Sequence, residues 1–94
     1  MDRKLPDYIV EGADGALSVT LARGIEVAGA TVKKLQLREP TLADQLAAQA
    51  GKNGTAESEV ALLANLAEIT PDELRHVKMR DYARLQVALG FFYG

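Results

Sequence analysis

The residue types that could carry catalysis or bind a metal are few in this chain. His76 is the only histidine, and the residues four positions away from it are Asp72 and Arg80. One carboxylate and one cation therefore flank it, where a metal site would need further ligands at helical spacing. Ser18 and Ser58 lack the Gly-x-Ser-x-Gly context that exposes and activates a serine nucleophile. These residues predict neither a metal site nor a serine hydrolase, and His76 is predicted to be a solvated helix residue.

Paired carboxylates and phosphate-binding glycines are missing as well. Glu57 and Glu59 are two residues apart in a predicted helix, so their side chains point to different faces and cannot act as an acid/base pair. The glycines lie between predicted strands, without the strand–glycine–helix order of a phosphate loop. The chain has no Cys, which excludes thiolate chemistry and Cys-ligated metals. We therefore predict that the protein is not an enzyme and needs no cofactor.

The charge and hydropathy of the chain argue against nucleic acid and membranes as its partners. The 94 residues include 11 Lys or Arg and 13 Asp or Glu, a net charge of −2, which argues against broad binding to nucleic acid or anionic lipid. No apolar run approaches the roughly 20 residues of a membrane span, and the start of the chain lacks the features of a secretory signal. A chain of this length has a modest core, so a protein partner could contribute to its stability. We expect a soluble, intracellular protein.

The N-terminal segment and the rest of the chain differ in pattern. Residues 1–15 show no clear hydrophobic period and contain proline and glycine, so we predict a flexible N-terminal arm. Residues 8–10 within it could form a short edge strand. Residues 16–94 are predicted to form a single α+β domain.

The alternation of residues 16–38 predicts two or three antiparallel strands. Apolar and polar residues alternate from residue 17 to 21, and alternation resumes at residues 35–38. Ala28-Gly29 lies between two apolar segments and predicts a hairpin turn, because glycine readily takes a positive φ. Arg23-Gly24 is predicted to be a break, and Glu39-Pro40 ends the sheet because proline gives no ladder donor.

Capping signals and helical periods follow Pro40. Thr41 can cap a first helix whose third position is Asp44, and Thr70 and Glu73 form a capping box with Pro71 at the first helical position. The fold is therefore predicted to be an antiparallel β-hairpin or three-stranded meander followed by three to four packed helices. The predicted helices span residues 42–50, 56–68, 71–77 and 81–92.

The C-terminal aromatic residues are the best candidates for partner binding. Three of the five aromatic residues lie in the last four positions, where a chain end usually frays. Phe92 continues the helical stripe of Leu89 and could pack on the core, whereas Phe91 and Tyr93 could face another chain, since adjacent residues cannot all face one side. Both arrangements stay open. The predicted partner-binding residues are Leu89, Phe91, Phe92 and Tyr93.

Residues 56–77 admit a second interpretation as a helix-turn-helix that binds DNA. Residues 55–81 contain six acidic and three basic residues, however, and phosphate neutralisation needs several outward cations. The charge balance therefore disfavours this alternative.

Several short motifs, in a fixed order, resemble a known family. An extended segment with a glycine turn is followed by a Leu-x-Leu-Arg-x-Pro stretch, a Leu/Ala helix, an E-x-A-L-L-A-x-L stretch, an Ile-Thr-Pro-x-x-Leu stretch and an Asp-Tyr-x-x-Leu stretch. These motifs start at Ile25, Leu35, Leu42, Glu59, Ile69 and Asp81. Over roughly residues 17–90 the chain resembles the small tail assembly chaperones of long-tailed bacteriophages, the E, 41 or 14 family. The framework positions of this resemblance are expected in the core: Leu35, Leu37, Pro40, Leu62, Leu66, Leu74, Tyr82 and Leu85.

The resemblance implies a non-catalytic protein made in the infected bacterium. Such chaperones bind the long, apolar tape measure protein and keep it soluble while the tail tube assembles around it. It implies the tape measure protein and possibly the tail tube protein as partners, a host bacterial cytoplasmic location, and absence from the mature virion. We also expect a homo-oligomer, because self-association would cover surplus apolar surface. A structural tail component retained in the virion is a further alternative.

Overall fold

A computed structural model describes residues 4–50 and 54–93 of the chain. A three-stranded antiparallel sheet in the order β1-β2-β3 precedes four helices, which confirms the predicted α+β meander. The elements are β1 (Ile9–Glu11), β2 (Leu17–Val27), β3 (Ala30–Leu37), α1 (Leu42–Gln49), α2 (Thr55–Ala67), α3 (Pro71–Arg75) and α4 (Met79–Phe92).

The turn between β2 and β3 has the predicted two-residue form. Ala28 and Gly29 have φ values of 52° and 85°, so both lie in the left-handed region that a type I′ hairpin turn requires. Val27 pairs with Ala30 directly across the turn. The turn therefore matches the twist of the two strands. Ala28 nevertheless adopts a left-handed backbone conformation, which is unfavourable for any residue other than glycine.

The predicted break at Arg23-Gly24 is a bulge inside one continuous strand. The register shifts between Thr20, which pairs with Lys34, and Ile25, which pairs with Val32. β2 thus carries several extra residues opposite Lys33. The carboxylate of Asp81, on α4, accepts hydrogen bonds from the backbone amides of Ala22, Arg23 and Gly24 at 2.6, 2.8 and 3.1 Å. Because these amides have an acceptor, the strand continues through the bulge.

Strand β1 lies in the segment predicted as an N-terminal arm. Ile9 pairs with Val19 and is buried in the core, and the Thr20 amide donates to the carbonyl of Tyr8 at 2.8 Å. The short edge strand predicted at residues 8–10 is therefore present, at Ile9–Glu11, and the sheet begins before residue 16. The physical reason is that one edge of β2 would be open without β1, which pairs along that edge and adds Ile9 to the buried face of the sheet.

Both predicted capping boxes are present. Thr41 accepts from the amide of Asp44 while the Asp44 carboxylate accepts from the Thr41 amide, and Thr70 and Glu73 form the same reciprocal pair at the start of α3. These bonds satisfy amides that have no partner inside the helix.

The helix boundaries differ slightly from those predicted. α2 ends at Ala67 because Glu68 takes a left-handed conformation, with φ at 60°. α3 ends at Arg75, two residues earlier than predicted, since Lys78 is already extended (ψ 148°) and precedes α4. α4 therefore begins at Met79, two residues earlier than predicted.

The core lies between the inner face of the sheet and the helices. Its central side chains come from both layers, and six of the eight framework positions are buried, whereas Pro40 and Tyr82 are half-buried. The largest fully buried side chains are Leu37, Leu63, Leu66, Leu74, Leu85, Val19 and Asp81.

Candidate functional site

The residues considered for catalysis make local or structural contacts. His76 is exposed, and its Nδ1 lies 2.8 Å from the backbone oxygen of Asp72, within the same turn of chain. Among residues 4–50 and 54–93, no three His, Cys, Asp or Glu side chains are grouped as metal ligands. Ser58 donates to the carbonyl of Gly54 at 3.1 Å, as a local helix-start contact. These contacts are structural ones.

Glu59 connects two helices. Its Oε1 accepts from the hydroxyl of Tyr82 at 2.6 Å and from the side-chain amide of Gln86 at 2.8 Å, which joins α2 to α4. Burial raises the pKa of the Tyr82 hydroxyl, and the neighbouring Glu59 carboxylate raises it further. The hydroxyl therefore stays protonated as a donor.

The four residues predicted to bind a partner occupy different environments. Leu89 is 7% exposed, and Phe91 and Phe92 are half-buried and pack against the core. Tyr93 is 62% exposed, and its hydroxyl donates to Oε1 of Gln45 on α1 at 2.9 Å. Leu89 and Tyr93 line one cleft, and the two phenylalanines do not line it.

That cleft, which we call the three-helix groove, lies where α1, α2 and α4 meet. Its volume is about 450 Å³. The described lining residues are Gln45, Ala48 and Gln49 from α1, Gly54, Thr55, Ser58, Glu59 and Leu62 at the start of and along α2, and Leu89 and Tyr93 at the end of α4. The lining therefore combines apolar side chains with neutral hydrogen-bonding groups, and Glu59 is the one charged residue among the described lining residues.

Two leucines are exposed beside this groove. Leu42 is 74% and Leu46 is 59% exposed, one helical turn apart on α1. Gln45 and Gln49 are each three residues after one of these leucines, so the two rows are neighbours on the helix surface. The leucines therefore form an exposed apolar pair on α1, next to the row of residues that lines the groove. Sequence reasoning did not single them out as binding residues.

A salt bridge orients α1 so that these leucines face outward. The guanidinium of Arg38 donates two bonds to Asp44, at 2.7 and 2.9 Å, and this contact, with the Thr41 amide, holds the pKa of the Asp44 carboxyl well below its usual range. Ala48 is the one buried residue of α1. With Asp44 and Ala48 turned toward the rest of the protein, helical geometry places Leu42 and Leu46 on the other side.

Helix α3 is poorly suited to the DNA-binding alternative. It has only five residues, and its Glu73 carboxylate accepts from the Thr70 and Ala28 amides, which lowers the Glu73 pKa. Asp72 pairs with Arg75 at 2.8 Å. The helix thus supports the β2–β3 turn and carries acidic residues where a recognition helix would need cations.

Together these features define a small α+β domain that has a groove between three of its helices and exposed leucines on α1. The family described as "Phage tail assembly chaperone proteins, E, or 41 or 14" matches residues 18–94. The chain belongs to this family, whose name indicates assistance in assembly and not catalysis.

No curated protein and no solved structure matches the chain. Within the described residues, none of the helices has the length and apolar content needed to cross a membrane.

Proposed function

We propose that this tail assembly chaperone binds the tape measure protein and keeps it soluble until the tail tube assembles around it. The exposed pair Leu42 and Leu46 beside the three-helix groove is the observation that carries the proposal. A monomeric domain gains nothing from leaving two leucines of one helix mostly in water, and such surfaces mark interaction sites.

The size of this surface suits a temporary complex. Fully burying a leucine is worth about 1.5–3 kcal/mol, so covering the exposed parts of two leucines contributes only a few kcal/mol to binding. This is close to the lowest estimates of the free energy that two molecules lose in translational and rotational freedom when they associate. One site of this strength releases its client readily. The proposed site of action is the host bacterial cytoplasm, and the chaperone is absent from the mature virion. Self-association and contact with the tail tube protein belong to the same proposal.

Co-expression with the tape measure protein tests the proposal. The wild-type chaperone is expected to move the client from the pellet to the supernatant, and Leu42→Ser/Leu46→Ser to lower the soluble client at least fivefold without lowering its own melting temperature. Met79→Ser is the matched control, because Met79 is also 74% exposed but lies at the opposite end of α4 from Tyr93. A client that stays insoluble with wild type contradicts the proposal, as does equal loss with Met79→Ser.

Two further measurements separate related proposals. Absence of the chain from purified particles is expected, and its stoichiometric presence would instead indicate a structural tail component. Light scattering over a concentration series is expected to show self-association, and a monomeric mass at every concentration would remove the oligomer from the proposal.

A further inference from the structure

The exposed side of α1 carries two adjacent rows of uncharged side chains. Leu42 and Leu46 form one row, and Ala43 and Ala47 form the other, since residues four apart lie one above the other on a helix. All four residues are exposed, whereas Ala48, on the opposite side of the helix, is buried. We call these four exposed residues the α1 face. It presents large side chains along one edge and small ones along the other.

The α1 face, all of which the structure describes, carries no charge. The one charged residue of α1 is Asp44, whose carboxylate is bonded to the Arg38 guanidinium at 2.7 and 2.9 Å. The side chain of Asp44 is only 14% exposed. When two copies of a protein meet through the same surface, a charge near the symmetry axis approaches its own copy. The α1 face avoids this repulsion, so an identical face is an electrostatically compatible partner.

The two rows also fit a second copy in shape. When two helices lie side by side and parallel, related by a two-fold axis along their length, the left edge of one contact face lies opposite the right edge of the other. The leucine row of each copy then lies against the alanine row of its partner. Large side chains opposite small ones interdigitate and fill the space between two helices. The α1 face is therefore complementary to itself in this arrangement.

We propose that, in the absence of the client, the α1 face packs against the same face of a second copy, with the two helices parallel. This inference rests on the proposed function and names the surface of self-association and its consequence. Leu42 and Leu46, which are both exposed, carry the proposed contact with the client. A second copy and the client therefore compete for the same leucines, and the paired form keeps these side chains out of water until the client replaces the second copy.

The contact is small enough to be displaced. The eight residues of α1 span about 12 Å. A stable interface has about 20–30 residues on each side, and the α1 face contributes only the two leucines and two alanines defined above. We therefore expect a weak dimer that forms at high protein concentration and dissociates on dilution.

Cysteine cross-linking tests this contact, because the chain has no cysteine of its own. A two-fold axis along the helices brings the centre of the face close to its own copy, and a disulfide requires Cα atoms within about 7 Å of each other. On mild oxidation, Ala43→Cys is expected to form at least five times more disulfide-linked dimer than Met79→Cys. Met79 is the matched control because it is 74% exposed but lies at the start of α4. Equal yields from the two variants overturn the contact.

A second cysteine position tests the direction of the helices. Ala50 is exposed and lies two helical turns after Ala43. In a parallel pair both positions lie next to their own copies, so Ala50→Cys is expected to cross-link as well. Cross-linking of Ala43→Cys alone overturns the parallel arrangement.

Light scattering provides a test that needs no cysteine. Ala47→Glu places a charge on the α1 face and is expected to be monomeric at concentrations where wild type and Ala83→Glu are dimeric. Ala83 is the matched control because it is also an exposed helical alanine, on α4. A dimer that persists unchanged in Ala47→Glu shows that another surface forms it, and this result overturns the inference.

Competition with the client separates this inference from the proposed function. Ala43→Cys is co-expressed with the tape measure protein, and the soluble complex is oxidised beside the free variant. At least fivefold less disulfide-linked dimer in the complex supports a shared face, whereas equal yields show that the client does not replace the second copy. If wild type solubilises the client but Ala43→Cys and Met79→Cys cross-link equally, the self-contact is overturned while the proposed function stands. If wild type leaves the client insoluble, the proposed function fails, and selective cross-linking of free Ala43→Cys still supports the self-contact.

Discussion

Asp81→Asn is the substitution for which the structure predicts the largest loss of stability. The carboxylate of Asp81 is fully buried and accepts hydrogen bonds from three consecutive amides of the β2 bulge, at 2.6, 2.8 and 3.1 Å. Asparagine has nearly the same shape but offers one acceptor oxygen and one donor group. In the variant, the side-chain NH₂ group of asparagine therefore points at backbone N–H groups, and at least one amide of the bulge loses its hydrogen-bond acceptor.

The expected cost follows from these bonds. A hydrogen bond to a charged acceptor contributes about 1.5–3 kcal/mol, and a buried donor left unsatisfied costs about 1–3 kcal/mol. Because asparagine is neutral, the variant no longer pays the desolvation cost of a buried charge, and this offsets part of the loss. We expect Asp81→Asn to lower the free energy of unfolding by about 2–4 kcal/mol, which for a domain of this size lowers the melting temperature by roughly 10–30 °C.

The pH dependence provides an independent check. Burial by itself would raise the pKa of Asp81, but the amides of Arg23, Ala22 and Gly24 outweigh it and hold the pKa below the ordinary value of 3.8. A carboxyl with a depressed pKa in the folded state contributes stability above its unfolded pKa and loses it as pH falls through the folded one. The difference in stability between wild type and Asp81→Asn should therefore be largest above about pH 4 and shrink below it.

Urea denaturation at pH 7 and at a series of acidic pH values measures both effects. Asp72→Asn is the control, because Asp72 forms an exposed pair with Arg75, and such pairs contribute about 0–1 kcal/mol. If Asp81→Asn and Asp72→Asn unfold within about 0.5 kcal/mol of each other, the bulge amides do not depend on Asp81, and the reasoning is refuted.

Two further substitutions test individual contacts. Gly24→Ala should destabilise the protein by about 1–3 kcal/mol more than Gly29→Ala, because both glycines have positive φ but only at Gly24 does a Cβ meet a backbone oxygen, at 3.1 Å; equal melting temperatures would contradict this. Tyr82→Phe removes the hydroxyl bonded to Glu59 and should cost about 1 kcal/mol. It should also abolish the last tyrosine ionisation in an ultraviolet titration, since the raised pKa keeps that hydroxyl neutral to high pH; an unchanged titration would show that Tyr82 is not the protected group.

Local signals predicted much of the fold. The Ala28-Gly29 turn, the alternation on either side of it and the two capping boxes all depend on residues close together in sequence, and the structure confirms each of them. The family resemblance likewise placed Leu66, Leu74 and Leu85 in the core, where they are buried.

The bulge and the orientation of α1 could not be predicted in this way. Arg23-Gly24 has the local signature of a break, and the strand continues only because Asp81, 57 residues after Gly24, accepts the bulge amides. The exposure of Leu42 and Leu46 depends on the salt bridge of Asp44 with Arg38 and on the burial of Ala48, neither of which has a signature in the periodicity of α1. Partners distant in sequence decide both features.

The same contacts give the three-helix groove one firmly held wall and one weakly held wall. Helix α4 is fixed to the sheet by Asp81 and Arg84, through bonds to backbone groups of β2. Helix α1 buries one residue, Ala48. Its polar contacts to the rest of the protein include the partly buried pair of Asp44 with Arg38 and the exposed bond between Gln45 and Tyr93. Elements with little buried apolar surface open at low free-energy cost. The groove can therefore change its width by movement of α1 while α4 stays in place.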